Sequence, residues 1–141
     1  MEIEEKQVRD KVMELAEGDK FAAALGIKCV DAGLGWAVVQ MTVGETHLNF
    51  LGGCHGGALF ALADQAFGLA SNSHNTIAVG IDTHMAYLNG AVTGDTLTAT
   101  AKEISCGNRT AVYRIEVVGQ NEKQLAEFTG TVYRTGKPID K

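Results

Sequence analysis

Proline is nearly missing from this chain of 141 residues: Pro138 is its sole example, and no proline-rich linker, internal repeat or low-complexity segment divides the sequence. A single domain over residues 1–141 is therefore expected, with 45% apolar residues to fill one core. Cysteine is scarce and odd in number, and Cys29, Cys54 and Cys106 show no CxxC spacing, which excludes a disulfide-stapled scaffold. The opening MEIEEKQ is acidic and unlike a secretion signal, so a reducing cytoplasm is the expected location. Cations are absent between Lys28 and Lys102, and a formal net charge of −5 without any basic run argues against nucleic-acid binding. An anionic ligand would have to draw on the termini or the last third, where Lys102, Arg109, Arg114, Arg134 and Lys137 lie. A long hydrophobic run is lacking too: the longest uncharged stretch, Thr46 to Ala63, holds two histidines, four glycines and an asparagine, so no membrane-spanning helix is expected.

Familiar catalytic spacings are also missing. His47, His55, His74 and His84 form neither HExxH nor an i, i+4 pair, so no metal site is expected. Ser71 and Ser73 lack the GxSxG context of a serine triad. Cys54 and His55 are neighbours in sequence, and adjacent side chains seldom face each other as nucleophile and base must.

What is present is a long apolar helix. From His55 to Asn72 the chain reads HGGALFALADQAFGLASN, with apolar residues in nearly every direction and one charge, Asp64, in the middle. Such a helix is buried on most sides. A carboxylate within it is kept for hydrogen bonding or for chemistry, because burying it alone costs several kcal/mol. Ahead of it, Glu4 to Glu17 predicts an amphipathic capping helix with Val8, Val12, Leu15 and Ala16 on one side, and Phe21 to Leu25 a further short turn. Trp36 to Val43 is strand-like, and Gly44 to Gly53 reads as a loop. Behind the helix, Ile77–Tyr87, Leu97–Ser105, Thr110–Val118 and Gln124–Arg134 read as strands, with turns at Asn89–Gly90, Cys106–Asn108 and Gly119–Asn121. The prediction is an α+β fold in which an antiparallel sheet curls around the central helix and a second copy closes the open side.

The approach to the helix, Asn49 to Gly57, carries the candidate chemistry. Gly56 and Gly57 leave backbone N–H groups uncovered at the positive end of the helix dipole, an arrangement suited to a developing oxyanion. Asp64 lies eight residues beyond Gly56, about 12 Å along the axis, so one chain cannot readily aim both at one carbonyl. Two antiparallel copies could, and sites shared between subunits follow. Asn49 and His55 can orient a substrate or hold the loop in shape; the residue types alone allow both.

The runs Leu48-Asn49, Cys54-His55-Gly56-Gly57, Leu62-Ala63-Asp64, Ala66-Phe67 and Ala70-Ser71-Asn72, with Gly94 to Ala101 and Phe128-Thr129-Gly130, resemble the signature of the PaaI-like hotdog-fold thioesterases over nearly the whole chain. The resemblance implies hydrolysis of an acyl-coenzyme A to free acid and coenzyme A without metal or cofactor. Asp64 would serve as general base or nucleophile, the Gly56 N–H would polarise the thioester carbonyl, and Asn49 and His55 would orient the reacting groups. Thr83 is a candidate for the hydroxyl that relatives carry on the strand after the helix. The base must be ionised at neutral pH, so Asp64 is expected to face a wet crevice between subunits. Phe50, Leu51, Phe60 and Phe67 are the expected acyl walls beside Gly57, with Arg109 or Lys102 meeting coenzyme A phosphates. The acyl group favoured is phenylacetyl or a hydroxylated aryl group, the minimal active unit a homodimer, and the expected assembly a homotetramer. Two rivals belong to other classes. A non-catalytic acyl-CoA-binding module would lack a base, and a hotdog dehydratase would carry a histidine on the helix, where none occurs between Gly56 and His74.

Overall fold

Six antiparallel strands form one sheet in the order β1-β2-β4-β5-β6-β3, with a helix lying across its concave side. The computed structural model describes residues 2–140. Its elements are α1 (Glu2–Glu17), α2 (Lys20–Leu25), β1 (Lys28–Gly33), β2 (Trp36–Thr42), α3 (Gly56–Ser71), β3 (Thr76–Tyr87), β4 (Thr96–Cys106), β5 (Thr110–Val118) and β6 (Gln124–Pro138). This is the expected hotdog fold, with α3 as the wrapped helix. Three details differ from the sequence reading. Lys28–Gly33, which it left without an element, forms strand β1 against β2. β6 runs on to Pro138, because it must span the full length of β3, from Tyr87↔Ala126 to Thr76↔Pro138. And β3 does not pair with the strand that follows it: the loop after Tyr87 crosses to β4, which leaves β3 at an edge of the sheet.

The core forms where alternating strand residues meet the helix. Ala37, Val39 and Met41 of β2, Leu97, Ala99 and Ala101 of β4, and Ala111, Tyr113, Ile115 and Val117 of β5 all point inward and are buried. Against them α3 presents Ala58, Leu59, Leu62, Ala63, Ala66, Phe67, Leu69 and Ala70. Small residues on both surfaces let helix and sheet approach closely, and the larger rings fill one end. Phe67 sits 5.5 Å from Phe128 and 6.0 Å from Tyr113, centroid to centroid, and Phe60 lies 5.4 Å from Phe128. A Cβ at Gly130 would stand 2.6 Å from the Phe67 ring, so glycine there is a packing requirement. α1 packs on β1, with Val12 buried and Val8, Leu15 and Ala16 against the core, as the amphipathic pattern predicted.

One stripe of α3 remains uncovered. Gly57 and Asp64 are exposed along it, and Phe60, Ala61, Gln65 and Gly68 are half-buried. The helix is thus buried on most sides, but its single charge lies on the open one.

Candidate active site

The loop into α3 is held by its own polar side chains. Leu48 and Cys54 form an isolated antiparallel bridge. Inside it the Asn49 side-chain carbonyl accepts from the Leu51 N–H (2.8 Å) and the Gly53 N–H (3.2 Å), while the Asn49 N–H donates to the Gly53 carbonyl (2.8 Å). Asn49 therefore organises the loop. His47, which sequence reasoning passed over, is buried beneath it. His47 Nδ1 accepts from the Gly44 N–H (2.9 Å), its Nε2 donates to the Leu25 carbonyl (2.7 Å), and its carbonyl accepts from the His55 N–H (2.7 Å). His47 thus fastens α2 to the loop through its ring and the loop to the start of α3 through its backbone carbonyl, which chain spacing gave no means of seeing.

His55 is the N-cap of α3. Its backbone is extended (φ −64°, ψ 136°) and its Nδ1 accepts from the Gly57 N–H at 2.8 Å. An accepting Nδ1 implies the neutral tautomer with hydrogen on Nε2, which faces solvent as a free donor. The two glycines therefore divide their roles: the Gly57 N–H is committed to the cap, whereas the Gly56 N–H meets no acceptor among the described residues. Gly56 adjoins a groove lined by Cys54, Leu59, Tyr87, Leu88 and Asn89. Tyr87, absent from the sequence-derived site, covers Gly56 so closely that a Cβ there would stand 3.3 Å from its ring.

Asp64 is exposed in the single chain. Protein packed around its carboxyl still pushes it above the usual carboxylate range, and the negative charge of Asp19, the N-cap of α2, adds to the effect. Phe50 and Leu51 stand at the loop tip, 96% and 82% exposed, beside the Gly56 end of the helix. Phe60 is half-buried on the open stripe. Phe67 is different: at 2% exposure it belongs to the core, because its ring is clamped over Gly80 and Gly130, and it offers no open wall.

Three other expected residues lie apart from this end. Thr83 is exposed on the edge strand β3, opposite Gly130 of β6. Lys102 alternates outward from the buried Ala101 and sits with Arg114 on the convex face, with the sheet between it and α3. Arg109 belongs to the β4–β5 turn beside the C-terminal end of α3, and a 16-residue helix puts about 24 Å between its two ends. Within one chain, then, neither cation can meet a ligand bound at Gly56.

β3 is a long sheet edge with exposed Ile77, Val79, Ile81 and Tyr87, and such an edge is a template for pairing with another strand. No helix of the described residues is long and apolar enough to cross a membrane.

Residues 51–126 match the family model described as the thioesterase superfamily. The chain is 46% identical over 123 residues to the acyl-coenzyme A thioesterase PaaI of Escherichia coli, covering 87% of this chain and 88% of that protein. The solved structure of the E. coli PaaI protein from the phenylacetic acid degradation operon superposes with a TM-score of 0.88 at 41% identity, over 93% of this chain and 98% of that one. A Streptococcus mutans protein solved bound to acetyl CoA superposes with a TM-score of 0.76 at 33% identity, over 79% of this chain and 90% of that one.

Proposed function

This chain belongs to the thioesterase superfamily, and from that premise we propose that it hydrolyses acyl-coenzyme A thioesters to the free acid and coenzyme A through a site shared between two copies. The observation that carries the reading is the pairing on α3 of an unengaged Gly56 N–H, at the positive end of the helix, with Asp64 two turns on along the only uncovered stripe among the described residues. A thioester carbonyl needs a donor aimed at the developing oxyanion and a base or nucleophile beside it. Gly56 supplies the first without a side chain in the way, and Asp64 the second.

Because the two lie about 12 Å apart along one helix, the reading needs a second α3 running antiparallel, so that Gly56 of one copy meets Asp64 of the other. Edge strand β3 is the surface on which copies would pair, and its exposed Val79 and Ile81 would be covered there. His55 Nε2–H and the Asn49 NH2 orient the thioester and the attacking group, Thr83 is the candidate for positioning water, and Phe50, Leu51 and Phe60 offer apolar surface to the acyl group. Phenylacetyl and hydroxylated aryl groups are favoured, because the E. coli relative comes from a phenylacetic acid degradation operon.

The test is hydrolysis of a panel of aryl- and alkyl-CoA thioesters by the wild type and by Asp64→Asn, followed by loss of thioester. Turnover by the wild type with a loss of roughly 10³-fold in a folded Asp64→Asn protein is the expected result. Binding of the same thioesters without hydrolysis by either protein would replace this reading with that of an acyl-CoA-binding module. Val79→Lys with Ile81→Lys should yield monomers by light scattering and abolish turnover; full activity in a monomer would overturn the shared site.

A further inference from the structure

At the other end of α3 a histidine, a glutamate and a cysteine from remote parts of the chain converge. We propose that His74, Glu103 and Cys106 bind a divalent transition-metal ion of the zinc class. Their ligand atoms all lie within 4.8 Å of one another. His74 Nε2 is 2.7 Å from Glu103 Oε1, and the Tyr113 hydroxyl donates to the same oxygen at 2.6 Å. Imidazole, carboxylate and thiolate together are a ligand set that suits zinc and its tetrahedral relatives.

The backbone is bent to make the convergence possible. On a regular strand residues 103 and 106 face opposite sides of the sheet. β4 carries a bulge between Glu103 and Ser105, so Glu103 pairs with the inward-facing Tyr113 and Cys106 with the inward-facing Ala111. Both side chains thus reach the side on which His74 leaves the helix. The turn beyond is tied down by the Gly107 N–H on the Thr110 carbonyl (2.8 Å) and by Arg134, whose guanidinium donates to the Gly107 carbonyl (3.0 Å). Gly35, in the β1–β2 turn, leaves room beside Glu103 where a Cβ would stand 3.3 Å from its second oxygen, and the Gly35 carbonyl accepts from the Glu103 N–H (2.8 Å).

On binding, the ion takes the lone pair of His74 Nε2, and the proton held there towards Glu103 moves to Nδ1, leaving a neutral imidazole. Cys106 binds as thiolate and gives its proton to solvent. Tyr113 keeps donating to Glu103 and orients it from outside the ligand shell. Cys106 is exposed, so the fourth position is open to water. The spacing of the histidines along the chain predicted no metal, because these three ligands are brought together only by the bulge and the helix exit.

Metal-stripped protein is titrated with Zn²⁺ by calorimetry and with Co²⁺ by absorption spectroscopy. One ion per chain and a tetrahedral Co²⁺ spectrum with a thiolate charge-transfer band are expected. Cys106→Ser, at an exposed position, should remove that band and weaken Zn²⁺ binding by at least about tenfold, as should His74→Asn. Cys29→Ser should leave both unchanged, and circular dichroism checks that each variant is folded. Absence of stoichiometric binding, an octahedral spectrum without sulfur, or a charge-transfer band that survives Cys106→Ser would each overturn the proposal.

Discussion

The two ends of α3 are built on opposite plans. At the N-terminal end a backbone donor is left without an acceptor among the described residues, the adjoining loop exposes Phe50 and Leu51 almost completely, and polar side chains shape the loop around an open groove. At the C-terminal end polar groups are cross-tied. Asn72 donates to the Gly68 carbonyl (2.8 Å) and the Ala78 carbonyl (3.2 Å) and accepts from the Ala78 N–H (3.0 Å). The Ser73 hydroxyl donates to the Ala70 carbonyl and accepts from the Gly35 N–H, both at 2.7 Å. Carbonyls at a helix end need donors from elsewhere, and here side chains supply them, locking the helix to β3 and to the β1–β2 turn. Unsatisfied N–H groups are the resource that acyl chemistry uses, so the proposed function falls on the open end, while the closed end ties the fold together.

The sharpest way to break this contrast is to remove the open donor without touching the helix. Gly56 occupies the first helical position, where proline is tolerated, and His55 already has the extended ψ of 136° that a residue before proline prefers. Gly56→Pro should therefore fold, with the exposed Tyr87 ring shifting aside, and lose about 10²–10³-fold in kcat, the usual effect of losing one oxyanion donor. Mixed with Asp64→Asn chains, it should recover activity through hybrid dimers that hold one intact site. Failure to complement would mean that Gly56 and Asp64 act within one chain and would overturn the shared site.

The contrast also explains what could be read from the chain. Helix α3 was legible from His55 to Asn72 to within one residue at each end, where these two form its caps, because an apolar run of that length bounded by paired glycines and an asparagine has few alternatives. The strands followed from alternation and turn residues. Asp64 stands out in the sequence as the one charge of the helix, and the need for an ionised base led to the expectation of a wet setting; the stripe itself is not legible, because a helix apolar nearly all round does not announce which narrow face the sheet leaves bare. Phe67 resembled an acyl wall for the same reason, since Gly80 and Gly130, which pull it into the core, lie on other strands. Lys102 and Arg109 were chosen for their charge alone, and only strand alternation and helix length show where they point. The convergence of His74, Glu103 and Cys106 depends on a bulge, which leaves no periodic trace.

Next in size is a break at the closed end. Asn72→Ala leaves three half-buried backbone groups without its side chain and should lower stability by about 1–3 kcal/mol, measured by denaturant unfolding, with kcat per folded chain unchanged. A drop in kcat at constant stability would mean that the two ends are not independent. His55→Ala probes the opposite end and should lower stability by only about 1 kcal/mol, the usual worth of an N-cap. His55→Asn, which restores an acceptor for the Gly57 N–H but not the Nε2–H donor, should return that stability while activity stays about tenfold down.

The smallest effect comes from the charge on the open stripe. Enclosure by neighbouring protein, aided by Asp19, raises the Asp64 carboxyl above its unfolded value, so the folded chain holds that proton more tightly than the unfolded one. Stability from this group is then fully present below the unfolded value and falls as pH rises through the window between the two. Activity moves the other way, because only the ionised form can act as base, and the acid limb of kcat/KM should lie above the ordinary aspartate range. The exposure of Asp64 keeps the stability change slight. Subtracting the unfolding profile of Asp64→Asn from that of the wild type across that pH window removes the slope of the other carboxyls and should leave the small fall due to Asp64. An equal slope in both would mean that the open end of the helix carries its charge without strain, and that activity there is gained at no loss to the fold.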